Sequence, residues 1–440
     1  MIKKIIALLL ALCIFCSITG CKGQKDTASI YDADGKVIVS CDNLDNYKNA
    51  NSTYVDVAVI EALKIISNLK KIDIEDAKKQ IVNYDVYTYL DNNLVTAIET
   101  AYEKVVGSNF GCAIVNLEGK IIAVYSASPT ENQNFVLQKM QQHSSMKPLS
   151  VYAPAIEKQI ITWSTLTEDS PYKVLTNSKG VNYDWPSNAS GKYSYSNMTT
   201  YHAMQESINT IAVKILSQYG VNNSIDFLQQ SFNIDLTYEQ QKATIYGEDE
   251  VIGNIALGAT SAGSTPVDMA GYYQIFANGG KYTTPVAIKK IVDKNGKVIY
   301  QDSAESKQVL SAETSYLMTE MLRGVTRAGG TGNAAQVSGI EVAGKTGTGS
   351  AFSDNWFVGV TPEYSCAVWH SNIGSQNKAA AVFSAVVENS NIKQTRFIKS
   401  ENVKKQIYCR ESGMLLGKNC KNAELGYYLN NNIPDLCNLH

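Results

Sequence analysis

The chain predicts an α+β fold, with one antiparallel sheet assembled from distant pieces and flanked by helices. Three observations point to it. β-type runs occur in two widely separated stretches, Gly111–Ser126 and Ala343–Ser371. Helical periodicities fill the sequence between them. No internal repeat or long low-complexity linker interrupts the 440 residues, which are too many for one ordinary domain. At 44% hydrophobic and 18% charged residues the composition supports a core of normal size. A formal net charge of −2 offers no basic surface for nucleic acid.

Taken in order, residues 1–21 join a positive start to a short apolar run, Ile5–Phe15. That pattern is a secretory signal, too short to span a bilayer comfortably. Ile18-Thr19-Gly20-Cys21 resembles a bacterial lipobox, in which the chain is cut before the cysteine and lipid is attached to it. An uncleaved anchor and cleavage elsewhere are the plainer alternatives. The expectation is a signal peptide over 1–20, lipidation of Cys21, and a protein held to the extracytoplasmic face of the membrane. Residues 21–52 read as a tether with a short hairpin at Asp34-Gly35.

Apolar residues at helical spacing between Thr53 and Lys71 predict a helix, and Asp91 caps a second. Glu118-Gly119 separates two β runs, Cys112–Asn116 and Ile121–Ser126. Pro148 suits the first turn of a helix reaching Ile156. Thr199 or Thr200 caps a helix ending near Glu206, and another runs from about Thr210 to Gly220. Thr265-Pro266 opens a further helix that stops at Asn278-Gly279-Gly280. Asn295-Gly296 is the strongest short hairpin signal. Ser311 starts a helix broken by Gly329-Gly330-Thr331-Gly332. Three strands follow, Ala343–Ser350, Trp356–Thr361 and Tyr364–Ser371, and Lys378–Asn389 reads as helical.

Ser-x-x-Lys occurs five times, at Ser67, Ser144, Ser170, Ser375 and Ser390, so the pattern alone means little. Only Ser144-Ser145-Met146-Lys147 is followed at once by proline at a helix start. There, i and i+3 side chains share a face, and backbone N–H groups lie beside Ser144. A serine hydroxyl needs a base. With no histidine in a triad-like context, Lys147 is the available one, provided burial and nearby positive charge keep it neutral. Lys345 is a source of that charge. Ser207-Ile208-Asn209 sits at a joint between two helices, whereas Ser353-Asp354-Asn355 and Ser375-Gln376-Asn377 match the same pattern elsewhere. Lys345-Thr346-Gly347-Thr348 falls on a strand, with Lys345 and Gly347 on one face and both threonines on the other. Gly347 leaves room for a ligand backbone, and Lys345 suits a carboxylate.

Of nine cysteines, Cys13, Cys16 and Cys21 lie in the leader. Cys41, Cys112 and Cys366 stand singly and read as small buried hydrophobes. Cys409, Cys420 and Cys437 cluster near the end with His440. A disulfide between two of these three is favoured by export; free thiols and a zinc site are the alternatives, and the partners are not readable from spacing. The four histidines fall in no metal-ligand spacing, so no metal or cofactor is expected.

In this order and on these element types the three motifs match the set shared by penicillin-binding proteins and class A β-lactamases. From Gly111 to the C-terminus the chain resembles the transpeptidase domain of class A penicillin-binding proteins. Similar stretches include Lys147–Ile156, Ala203–Leu216, Leu257–Gly280 and Val342–Ser350. Tyr54–Glu103 resembles the linker before that domain, and the tail with Cys409, Cys420, Cys437 and His440 resembles tails of clostridial-type members. The implied organisation is a linker region over 53–105, a penicillin-binding transpeptidase domain over 106–400 and a cysteine-containing tail over 401–440.

The resemblance implies that Ser144 attacks the penultimate D-alanine carbonyl of a peptidoglycan stem peptide, with Lys147 as base and Ser207 relaying the proton to the leaving amine. Asn209 holds the substrate amide. Lys345, Thr346 and Thr348 bind the terminal carboxylate, alongside Gly347. The N–H groups of Ser144 and Thr348 form the oxyanion hole, and β-lactams acylate Ser144. Class A members also carry a glycosyltransferase domain with a Glu-Asp-centred motif. That motif does not occur here, so a separate glycosyltransferase is expected as partner. His143 stands where the family usually has glycine, and Trp185-Pro186-Ser187-Asn188 replaces the usual Pro-x-Asn-Tyr. A D,D-carboxypeptidase or β-lactamase, and a sensor or scaffold that is acylated without turnover, are the competing readings.

Overall fold

The computed structural model describes residues 28–42, 44, 51–130, 133–371, 374 and 376–440. The apolar leader, the lipobox and Cys21 lie outside these residues. No helix among the described residues is long and apolar enough to cross a membrane. The described residues divide into two compact units, one comprising those within segments 48–61, 89–287 and 302–440, the other those within 28–47, 62–88 and 288–301.

The larger unit is built on a five-stranded antiparallel sheet. Its order is Ala343–Thr348, Asp354–Val360, Tyr364–Ser371, Phe110–Asn116, Ile121–Ala127. The three interior strands are buried almost without break, which requires cover on both faces. Phe357 meets Phe383 of the helix Ala379–Glu388, with ring centroids 4.9 Å apart. Ser365 projects from the opposite face, and its hydroxyl donates to the Ala270 carbonyl in the helix Pro266–Tyr273. Alternation along paired strands therefore places one helix on each side.

The helix starts follow the capping residues. Asp91 accepts from the Asn93 and Leu94 N–H groups, Thr199 from His202, and Ser311 from Thr314. Thr265 and Asp268 form a reciprocal capping box before Pro266, closing two helix-end donors at once. Among the described residues the strand Ala343–Thr348 has a sheet neighbour on one side only, so it forms an edge of the sheet.

The smaller unit holds a second five-stranded sheet, and here the expectation of one sheet is corrected. Its order is Val298–Gln301, Ile288–Asp293, Tyr84–Thr88, Ser29–Tyr31, Val37–Ser40. Both expected turns are present, with Gly35 at φ 81° and Gly296 at φ 79°, the conformation glycine permits. What local signals omitted is the central strand Tyr84–Thr88, which pairs in parallel with Ser29–Tyr31 and antiparallel with Ile288–Asp293. A hairpin signal fixes a turn and its two arms, but not the strand that lies beside them.

The tail forms an antiparallel hairpin, Val403–Cys409 with Ala423–Leu429, that local signals also missed. It belongs to the larger unit. Tyr427 packs on Trp163 at a centroid distance of 5.0 Å, and Tyr428 donates to Ser164 Oγ at 2.8 Å.

Candidate active site

Ser144 lies in a 3-10 turn, His143–Met146, that runs on through a π-helical segment, Pro148–Tyr152, into the α-helix Ala153–Glu157. The helix expected from Pro148 is therefore present but changes pitch along its length. In a 3-10 turn positions i and i+3 eclipse, which keeps Ser144 and Lys147 on one side. The turn is pinned from several directions. The His143 N–H donates to Gly258 O at 2.8 Å, and Trp356 Nε1 donates to Gln141 O at 2.9 Å. The Tyr273 hydroxyl, buried, donates to Ser145 O. His143 itself has φ 51°, a left-handed position where glycine would be unstrained.

The strand Ala343–Thr348 comes against this turn at Gly347. A Cβ there would meet Gln142 O at 2.5 Å and Ser145 N at 3.2 Å. The room that glycine leaves is thus filled by the backbone of the serine turn, and not by a ligand as its placement on a strand had suggested. Lys345 and Gly347 are buried, Thr346 is half-buried and Thr348 exposed, the alternation expected of a strand.

Ser207 sits at φ 60° between the helices Thr200–Gln205 and Asn209–Tyr219. It is the meeting point of both lysines. Lys345 Nζ donates to Ser207 Oγ at 2.7 Å, and Lys147 Nζ donates to Ser207 O at 2.8 Å with Ser207 Oγ at 3.5 Å. Both lysines are fully buried. Burial, and then the charge of Lys345, hold the Lys147 amine well below its ordinary pKa. Burial alone lowers Lys345 to about 7. Desolvation disfavours an ammonium, the direction that a lysine base needs.

Lys147 Nζ also donates to Asn209 Oδ1 at 2.6 Å, while Asn209 Nδ2 donates to Ser187 O at 2.7 Å. Among the described residues no hydrogen bond joins Lys147 Nζ to Ser144 Oγ; the amine is turned toward Ser207 and Asn209. Hydrogen bonds at a reacting centre commonly tighten only once substrate is bound.

Several supporting residues carried no sequence signal. Asp169 Oδ1 accepts from Thr210 Oγ1 at 2.6 Å and from Asn188 Nδ2 at 2.7 Å, and Oδ2 accepts from Ser194 N–H at 2.8 Å. Burial by itself would raise the Asp169 carboxyl; the Thr210, Ser194 and Asn188 bonds outweigh it and hold it below the usual range. Asn188 Oδ1 in turn accepts from the Asn209 N–H at 3.0 Å, which seats the start of the Asn209–Tyr219 helix. Asn377 Nδ2 donates to Gly347 O and Thr348 Oγ1, each at 3.0 Å. The Ser375-Gln376-Asn377 match, discounted as a motif, therefore supplies through Asn377 a brace for the lysine-bearing strand. The Thr331 and Thr346 hydroxyls lie 2.9 Å apart. His143 stands 3.7 Å from the Asp354 carboxylate, and its imidazole is the main reason that carboxyl is held below the usual range.

Comparison with known proteins bears on the fold and the family. The penicillin binding protein transpeptidase domain matches residues 111–388. Penicillin-binding protein 1A of Clostridium acetobutylicum is 36% identical over 264 residues, 57% of this chain and 31% of that protein. Penicillin-binding protein 4 of Bacillus subtilis is 29% identical over 288 residues, 64% of this chain and 42% of that protein. The chain thus spans about a third of the first of these relatives. PonA1 of Mycobacterium tuberculosis, solved in complex with penicillin V, shares the fold with a TM-score of 0.62 at 20% identity, covering 77% of this chain and 94% of that one. Penicillin-binding protein 1A of Haemophilus influenzae gives 0.60 at 22% identity, covering 74% and 54%. With the family's domain matched from the first strand of the large sheet to the helix Ala379–Glu388, this chain belongs to the penicillin-binding protein transpeptidase family.

Proposed function

We propose that this protein is a D,D-transpeptidase, anchored by lipid at Cys21 outside the membrane, that cross-links peptidoglycan stem peptides ending in D-Ala-D-Ala. The observation that carries the reading is the convergence of two buried lysines on Ser207 beside the serine turn. Ser144 Oγ attacks the penultimate D-alanine carbonyl and passes its proton to neutral Lys147. The tetrahedral oxyanion is met by the N–H groups of Ser144 and Thr348. Collapse expels D-alanine, which takes its proton through Ser207. An amine of a neighbouring strand then attacks the acyl-enzyme and restores Ser144. Asn209 would orient the substrate amide, which requires its present bonds to Lys147 and Ser187 to be exchanged. Lys345, Thr346 and Thr348 would receive the terminal carboxylate. The glycan strands joined in this way come from a separate glycosyltransferase, and β-lactams act as inhibitors by acylating Ser144.

The test is the intact mass of the chain after benzylpenicillin, alongside Ser144→Ala, followed by a donor-peptide assay. A stable adduct confined to the unmutated protein, with amine-dependent transfer, is expected. An adduct without transfer would leave a sensor or scaffold. Destruction of penicillin without an adduct would make the protein a β-lactamase.

A further inference from the structure

The C-terminal tail brings together four side chains that the acylation chemistry does not use. Cys409 ends the strand Val403–Cys409 and is fully buried. Its N–H donates to Met414 O and its carbonyl accepts from Gly413 N–H, each at 2.8 Å, so the chain turns back at once. Leu415 then pins the end of the chain, donating to Asp435 O and accepting from Cys437 N–H, again at 2.8 Å each. At Gly417 a Cβ would stand 2.6 Å from Cys437 O, and its N–H donates to Cys420 Sγ at 3.3 Å. A backbone donor aimed at sulfur suits a thiolate.

These turns converge on one point. One ligand atom each from Cys409, Cys420, Cys437 and His440 lies within 4.8 Å of every other. Cys409 Sγ and His440 Nε2 are 3.6 Å apart. A tetrahedral zinc ion, with bonds of about 2.3 Å to sulfur and about 2.0 Å to nitrogen, has ligand–ligand edges of about 3.5–3.8 Å. The three sulfurs are free thiols. A disulfide, at an S–S distance of about 2.05 Å, would consume two of them and leave the third sulfur and the imidazole unexplained. Cys437-Asn438-Leu439-His440 also supplies a Cys-x-x-His pair, so His440, contrary to the reading of the four histidines above, does stand at a metal-ligand spacing. One other group competes for the imidazole: Glu411 Oε2 lies 3.1 Å from His440 Nε2. That contact needs a proton on Nε2, which a metal would replace.

We propose that Cys409, Cys420, Cys437 and His440 bind one zinc ion in a closed Cys3His site. Three thiol protons leave to solvent as the ion binds, and the neutral imidazole donates its lone pair through Nε2. Four protein ligands leave no open position, so the site is structural. It fastens the loop end of the hairpin to the last residues of the chain, and the same hairpin reaches the catalytic domain: Glu424 Oε2 lies 2.8 Å from His202 Nε2 and accepts from the Tyr408 hydroxyl at 2.5 Å. His202 belongs to the helix that ends just before Ser207. The proposal does not rest on the transpeptidase reading, because its readout is bound metal.

The experiment is elemental analysis of the full chain purified without chelator, and again after reconstitution with zinc under reducing conditions. One zinc per chain is expected, released when an organomercurial blocks three thiols, and absent from Cys420→Ser and Cys437→Ser. Cys41→Ser should keep its zinc. Cobalt substituted for zinc should give the visible bands of a tetrahedral thiolate site, a readout on the unmutated chain if the variants fail to fold. A reconstituted chain without stoichiometric zinc would overturn the proposal. So would full zinc retained in folded Cys420→Ser, or a tail disulfide that persists in the zinc-loaded protein.

Discussion

Lys345 Nζ donates a 2.7 Å hydrogen bond to Ser207 Oγ. Lys147 reaches the same serine from the other side, at its carbonyl and at the edge of hydrogen-bond range of its hydroxyl. Ser207 thus separates two buried amines that cannot both remain charged cheaply. Burial and the positive charge of Lys345 lower the Lys147 pKa, and burial lowers that of Lys345. The proposed mechanism needs neutral Lys147 beside cationic Lys345.

A bell-shaped pH dependence of acylation follows. The acid limb is protonation of Lys147, which removes the base. The alkaline limb is loss of the Lys345 proton, near its value of about 7 in the empty site. A bound carboxylate favours the ammonium and moves that limb upward. Lys345→Arg should lower the second-order rate constant for penicillin by at least roughly tenfold, since the planar guanidinium does not copy the ammonium, and should also remove the alkaline limb. Stopped-flow acylation across pH reads both. An unchanged alkaline limb in the arginine variant would show that another group produces it.

Gly347→Ala places a methyl 2.5 Å from the Gln142 carbonyl. The backbone of the serine turn and Trp356 Cβ at 3.1 Å leave little room to yield, so the serine turn must shift. Acylation is expected to slow by roughly a hundredfold, about 2.7 kcal/mol of barrier, while the melting temperature falls only modestly. Wild-type acylation in this variant would mean that the turn and the strand move independently.

Asp169→Asn tests the brace beneath Asn209. The wild-type carboxylate accepts from Thr210, Asn188 and Ser194. Substitution turns one acceptor oxygen into a donor and is expected to destabilise the domain by about 1–3 kcal/mol. The pH sign is defined: a depressed carboxyl pKa stabilises fully above its unfolded value, about 3.9, and that contribution disappears as pH falls through the folded value. Thermal melts from pH 7 to pH 3 should therefore show wild-type and variant curves converging in acid. Parallel curves would remove Asp169 from the account.

Asn377→Ala removes two 3.0 Å bonds to the lysine-bearing strand, at Gly347 O and Thr348 Oγ1. Because Thr348 is exposed and is proposed to receive the ligand carboxylate, the expected effect is weaker binding of penicillin before acylation, by roughly tenfold or about 1.4 kcal/mol. The limiting acylation rate should hold. Loss of the limiting rate instead would mean that Asn377 supports the nucleophile turn.

Much of this was legible in the chain alone, because the determining physics is local. Asp91, Thr199, Thr265 and Ser311 cap the helices they precede, since a side-chain oxygen within three residues satisfies a helix-end donor. The strands Ala343–Thr348, Asp354–Val360 and Tyr364–Ser371 followed from short apolar runs between turn residues. Ser144, Lys147, Ser207 and Lys345 were singled out from the chain because three modest motifs in one order are specific where each alone is not, and the fold brings Lys147 and Lys345 together at Ser207.

Tertiary structure decided what depends on residues far apart in sequence. It placed the Asn295-Gly296 hairpin in a second sheet, because pairing with Tyr84–Thr88 is a choice of neighbour that no local periodicity encodes. It gave Asp169, Asn377 and Thr331 their bracing contacts, since a hydrogen bond across 15 to 41 residues leaves no pattern along the chain. The same reason holds for the tail. Cys409, Cys420 and Cys437 were plain to see, but which atoms face one another is set by the loops that fold them back, and those loops bring His440 to the three sulfurs.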